Sequence, residues 1–326
     1  MIEALVKSDI TGLDRFSFSK MSSIRQCPYS YDLSYNYYKR GEQNCFAECG
    51  SFVHEILEKY LKGELLQCEL KDYFLSKFEE AVPNGVNLIT SSGYSVPLTD
   101  KYINQIASFL ENFDGFYIGG KKLDVLGVEK KFTYVLSLEQ KGKSIPFILT
   151  GVLDVVGKDH DGNLYILDHK SKAGFKTKEE RSEYARQLYL YSIYVKHEYG
   201  DFPKAIIFDM FRIDKLDIIP FNKKAYDEAL EWAAESVAKA QNEELFLPID
   251  FSVEIENFRK AKSHYDDLEY DYVGRQNDRK VRAWYREAKK SLEDKLFFCM
   301  NLCDHKDVCD TWRQAQAEYL EIERGK

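Results

Sequence analysis

The sequence predicts an α/β domain with helices before, within and after a sheet, and three observations carry that prediction. GSFVHEILEKYLKG, residues 50 to 63, sets Val53, Ile56, Leu57, Tyr60 and Leu61 on one stripe and ends in glycine, the pattern of an amphipathic helix. From about residue 124 the period changes. LDVLGVEKKFTYVLSL, IPFILTGVLDVVG and NLYILDHKS are rich in β-branched and aromatic residues and read as strands, with DHDGN as the turn before the last. Helical spacing then returns in NKKAYDEALEWAAESVAKAQ.

Taken in order, SFSKMSSIRQCPYSYDLSYNYY, residues 17 to 38, opens with hydroxyl caps and carries aromatics at helical spacing, and Cys27-Pro28 kinks or divides it. Two helices are expected near 69 to 81 and 99 to 118, ahead of the strands. After them come a helix over about 177 to 197, two short strands in KAIIFDMFRI and LDIIPF, and the long helix. A core of residues 1–249 is therefore expected. Residues 250–298, charge-rich and helical in composition, read as an insertion, and 299–326 as a tail that brings back three cysteines.

At 326 residues the chain is long enough for one large core or two modest ones without disulfides. No apolar run approaches the roughly 18 to 20 residues of a membrane span, and MIEALVKSDITG lacks the basic-then-apolar pattern of a secretory signal. A cytoplasmic protein with no membrane partner is the expectation. The net charge of −8 excludes a surface coated uniformly for nucleic acid, but a binding groove needs only local positive charge. Seven cysteines, an odd number, fit metal or cluster ligation or plain buried thiols in a reducing compartment.

The stretch GVLDVVGKDHDGNLYILDHKSKAG places Asp154, Asp168 and Lys170 in or beside apolar strands, where an unpaired charge is costly. A turn centred on Asp161 sets Asp154 opposite Asp168, with Lys170 on the same face. A two-residue turn at Asp161-Gly162 would instead split the aspartates across the sheet. Two adjacent carboxylates repel unless a divalent cation sits between them, and oxygen ligands suit Mg²⁺ or Mn²⁺. A lysine there orients or helps deprotonate a water and stabilises charge on a phosphate, which is metal-assisted phosphodiester hydrolysis. An exposed Asp168–Lys170 ion pair on a surface hairpin is the plainer alternative.

The order G-x-x-x-H (Gly50 to His54), G-x-x-D (Gly151 to Asp154), I-x-D-x-K (Ile166 to Lys170) and Q-x-x-x-Y (Gln187 to Tyr191) resembles the RecB-type branch of the PD-(D/E)XK nucleases. The resemblance implies a restriction-endonuclease-like central mixed sheet flanked by helices and a nuclease site on DNA. By that match His54, Asp154 and Asp168 are metal ligands, with the backbone carbonyl of His169 as a fourth contact, and Gln187 and Tyr191 position the nucleic acid and the site. Glu129, in GVEKKF, is given no role.

The trio Cys299, Cys303 and Cys309, with distant Cys27, resembles the iron–sulfur nucleases of this family, including AddB-like helicase–nuclease subunits and CRISPR-adaptation exonucleases. It implies one [4Fe–4S] cluster joining the ends of the chain. The first gap holds three residues where the family has two. Cys45, Cys49 and Cys68 are left as ordinary thiols.

The leading expectation is a metal-dependent DNA exonuclease working on single strands or duplex ends in recombination, repair or phage DNA processing. No G-x-x-x-x-G-K-[ST] loop is present, so unwinding would fall to a helicase or recombination partner. The rivals are a catalytically silent DNA-binding or assembly subunit of a recombination complex and a zinc-stabilised interaction protein. The run GRQNDRKVRAWYREAKK, 274 to 290, is either a phosphate-gripping helix beside the cleft or a solvated charged one.

Overall fold

The structure, a computed structural model, describes residues 12–37, 45–82, 87–89, 95–97, 99–242, 244, 246–270, 275–303, 305 and 308–325. Packing divides the chain into two units, the first made of Met1–Phe18 and Gln43–Val237 and the second of Ser19–Glu42 and Ala238–Lys326.

In the first unit a short strand β1 (Arg15–Phe16) is followed by helices α3 (Cys45–Leu61), α4 (Leu70–Ala81) and α5 (Thr99–Asn112). Small hairpins lie at β2 (Asn87–Ile89) with β3 (Ser95–Pro97) and at β4 (Tyr117–Ile118) with β5 (Lys121–Lys122). The main strands are β6 (Asp124–Gln140), β7 (Lys143–Lys158) and β8 (Leu164–His169), then β9 (Ala205–Met210) and β10 (Lys215–Pro220). Helix α6 (Lys178–Tyr199) links β8 to β9, and α7 (Lys223–Ala240) follows the sheet. The six-stranded sheet is mixed: β6–β7, β7–β8 and β9–β10 are antiparallel, β1–β7 and β8–β9 parallel.

One face of the sheet, carrying Val155, Tyr165, Leu167 and Ile207, is covered by apolar residues of α3, α4 and α5 such as Val53, Ile56, Phe74 and Leu110. Strand alternation gives Asp154, Asp168 and Phe208 to the opposite face.

The β7–β8 turn sets the site. Val155 pairs with Leu167 and Lys158 with Leu164, so the turn is centred on Asp161, and Asp154 and Asp168 are the next pair in that register. Asp159 holds the turn: its carboxylate accepts hydrogen bonds from the amides of Asp161 and Asn163, the Asn163 side chain and the Tyr165 hydroxyl. Burial alone would raise its pKa, but these donors outweigh it and hold it at about 2. A carboxylate whose folded value lies below its unfolded value near 3.9 stabilises the fold above that value and loses the contribution as pH falls through about 2. Asp159→Ala is therefore expected to lower Tm at pH 7, and the gap to wild type should narrow between about pH 4 and pH 2 in a calorimetric pH series.

The second unit joins α2 (Pro28–Tyr35), and α1 (Phe18–Gln26) from Ser19 onward, to α8 (Ser252–Tyr270), α9 (Arg275–Phe297) and α10 (Asp310–Arg324). Cys27 caps α2 and Pro28 is its first residue, so the Cys-Pro step divides the segment cleanly. Phe251, Ile255, Phe258, Leu292 and Leu296 form the core of this unit, together with Cys299 and Ala315. Residues 250–298 and 299–326 bury one shared apolar core, and 19–42 group with them rather than with the sheet.

Candidate active site and cysteine pocket

Three strands bring three carboxylates into line. The pairs Val128–Val155 and Lys130–Leu153 place Glu129 opposite Asp154 on one side, and the β7–β8 register places Asp168 on the other. Glu129 has φ of 49°, a left-handed backbone that costs free energy in a non-glycine residue inside a strand. His54, on α3, reaches the row: its Nδ1 lies 3.4 Å from Asp154 Oδ2 and 3.8 Å from Glu129 Oε1, and its Nε2 lies 3.2 Å from the His169 carbonyl oxygen. An open cleft of about 440 Å³ is lined by Gly50, Ser51, His54, Glu129, His169 and Lys170 among others, with Asp168 buried behind it.

Electrostatics strain the arrangement. Burial, then the neighbouring Asp168 charge, push Asp154 above the ordinary carboxylate range. Burial alone would lower His54, but a hydrogen bond with Glu129 and the charges of Asp154 and Asp168 outweigh it and push the imidazole up to about 9. Asp168 is 3 % exposed, and Lys170 Nζ lies 2.5 Å from its Oδ2. That contact is ionic and poorly directed, so the buried Oδ2 has no well-formed hydrogen bond. The Asp168 charge outweighs desolvation and keeps Lys170 protonated above its ordinary value.

These residues fit a divalent cation. Ligand atoms of His54, Glu129 and Asp154 lie within 4.8 Å of one another, and with Lys170 already paired to Asp168 the crowded carboxylates call for further positive charge. The His169 carbonyl can only accept, so His54 Nε2, 3.2 Å away, donates to it, and Nδ1, which faces Asp154 and Glu129, is the imidazole nitrogen turned toward a cation.

The family model of the PD-(D/E)XK nuclease superfamily matches residues 15–310. The chain belongs to that superfamily. No curated protein gives a significant match. PD-(D/E)XK nucleases use divalent metals, in keeping with the donor set, and the mixed sheet between helices is consistent with their fold. No described helix of this nuclease is long and apolar enough to cross a membrane.

Gln187 and Tyr191 stand one turn apart on α6. Tyr191 is buried, so it lines the site from within rather than from the open cleft, and Gln187 hydrogen-bonds to it. Burial and the Asp168 charge keep its hydroxyl protonated far beyond neutrality. Its ring packs edge-on to Phe132 at 5.1 Å. Both rings close over Gly151, where an added Cβ would lie 2.5 Å from Phe132 Cζ and 2.8 Å from Tyr191 Cε1. The glycine of G-x-x-D thus admits the tyrosine of Q-x-x-x-Y. Gly151→Ala is expected to cost about 1–3 kcal/mol by overpacking, read as a lower urea midpoint, and to displace the Tyr191 ring.

Within the second unit Cys27, Cys299, Cys303 and Cys309 line one pocket, with Ser30 and His305. All four are free thiols. The Ser30 amide donates to Cys27 Sγ at 3.4 Å, and the amides of Ile249 and Tyr29 also oppose the effect of burial, which pushes that thiol up. Burial, then the charges of Cys303, Cys27 and Cys309, push Cys299 up to about 12. Cys49 is buried in the first unit's core and Cys68 is exposed; the Cys45 side chain lies outside the described residues. Of the basic run, Gly274 also lies outside them, and α9 exposes Arg279, Lys280, Arg282 and Arg286.

Sequence reasoning left Glu129 without a role, although a signal existed. Gln140 pairs with Lys143 across a two-residue Lys141-Gly142 turn with φ of 49° and 74°, and counting back along that hairpin puts Glu129 beside Asp154. Asp209 carried no comparable signal, since only the pairing of β8 with β9 brings it to His169, whereas His305 stands between Cys303 and Cys309 in the sequence and could have been read with them.

Proposed function

We propose that this chain is a RecB-type DNA exonuclease that hydrolyses phosphodiester bonds at a Mg²⁺ or Mn²⁺ centre. His54, Asp154, Asp168 and the His169 carbonyl would hold the cation, with Glu129 as a further carboxylate. The observation that carries the reading is the carboxylate row across β6, β7 and β8, faced by His54 and flanked by a charged Lys170. A cation bound there supplies charge for the scissile phosphate and acidifies water. Lys170 acts as a fixed positive charge at the phosphate, since its proton is held by Asp168. Tyr191 and Gln187 support the row from α6, and unwinding is left to a helicase or recombination partner.

In the second unit, Cys27, Cys299, Cys303 and Cys309 bind a [4Fe–4S] cluster in this reading. Their convergence on one pocket and the amides aimed at Cys27 Sγ support it.

The test is digestion of end-labelled linear and covalently closed circular DNA, single- and double-stranded, with Mn²⁺ or Mg²⁺. An exonuclease degrades the linear substrates and leaves circles intact; cleavage of circles would make the enzyme an endonuclease, and no cleavage of any would favour the silent subunit.

A further inference from the structure

Behind the cleft lies a buried titratable pair that the chemistry above does not use. His169 follows Asp168 on β8, and Asp209 is its register partner on the parallel strand β9. His169 Nδ1 and Asp209 Oδ2 lie 2.8 Å apart, and the two residues are 4 % and 2 % exposed. A carboxylate accepts only, so Nδ1 carries the proton and donates it to the hydrogen bond. The ring is gripped on two further sides: Phe116 stacks on it at 5.7 Å, and the His54 ring meets it edge-on at 5.2 Å. The His169 carbonyl faces His54 Nε2, and the His169 amide donates to Asp154 Oδ2 at 2.7 Å. One residue therefore touches His54 twice and Asp154 once, and its own orientation is set by Asp209.

We propose that Asp209 is a positioning residue for the cation site. By fixing the His169 ring it fixes the end of β8, and so the carbonyl and amide that meet His54 and Asp154, together with the rotation of the His54 ring. Outer partners of this kind typically contribute 10- to 100-fold in metal affinity. The inference rests on the cation site proposed above.

The test measures Mn²⁺ affinity by isothermal titration and the Tm of the metal-free protein in the same preparations. Asp209→Ala should weaken Mn²⁺ binding by about 10- to 100-fold. Asp209→Asn, which keeps an oxygen acceptor for Nδ1–H, should stay within about threefold of wild type. His169→Phe keeps the backbone carbonyl and the ring's place against Phe116 while losing the hydrogen bond, so it should match Asp209→Ala and decide the question if the alanine variant fails to fold. The double variant should be no weaker than either single one, because both remove one interaction. Variants with lower Tm but unchanged Mn²⁺ affinity would overturn the proposal, making the pair purely structural. A wild-type protein that binds no Mn²⁺, or whose binding is unaffected by His54→Ala, would overturn the cation site itself and the inference with it.

Discussion

Asp154→Asn, Asp168→Asn and Lys170→Ala are each expected to slow DNA cleavage by about 10² to 10⁴-fold while the protein stays folded. Each aspartate variant removes half of a facing pair whose register places the two carboxylates side by side. Asn keeps the shape and loses the charge a cation needs, so metal affinity should fall together with rate. Lys170→Ala differs in kind: it removes a cation that Asp168 keeps protonated, so Mn²⁺ binding should persist while turnover is lost. Because the Asp154 carboxyl is pushed up by burial and by Asp168, the metal-free Asp154→Asn variant should not be less stable than wild type in thermal unfolding. Full activity of any of the three variants with Mn²⁺ would remove that residue from the chemistry.

The second large effect is expected at the cysteines. Protein purified without oxygen should be brown, and replacing Cys27, Cys299, Cys303 or Cys309 by serine should bleach and destabilise it, whereas Cys49→Ser and Cys68→Ser should not bleach it. Cys27 and Cys299 stand near opposite ends of the chain, and by the chain-entropy estimate one link closing so long a loop contributes roughly 5 to 6 kcal/mol. That rivals the net stability of a whole domain. The pocket lies in the second unit and the carboxylates in the first. Loss of the cluster should therefore act through unfolding or lost DNA binding, with divalent-metal affinity of the surviving folded protein unchanged. Stoichiometric zinc on the four thiols in a colourless protein would replace the cluster and leave the nuclease site untouched.

Much of the candidate site is local and therefore legible. Asp154, the Asp161-centred turn and Asp168 lie within fifteen residues, and alternation along two strands settles which face they share. The helix boundary at Cys27-Pro28 and the end of α6 at Gly200, whose φ of 85° suits glycine, follow from backbone chemistry alone. Non-local features were not legible. The burial of Tyr191, on α6, depends on Phe132 of β6 and Gly151 of β7, and the Asp209–His169 pair on the parallel placement of β8 and β9. The grouping of 19–42 with 238–326 follows from three-dimensional packing that composition does not encode.

The most direct measurement is a Mn²⁺ titration of metal-stripped protein, following metal binding and cleavage of end-labelled DNA in the same samples, with Asp154→Asn alongside. The structure predicts that cleavage appears in step with binding, is abolished by chelator, and is lost with binding in Asp154→Asn. Wild-type protein that fills the site with Mn²⁺ and leaves every DNA substrate intact, or that cuts at full rate in excess chelator, would contradict it.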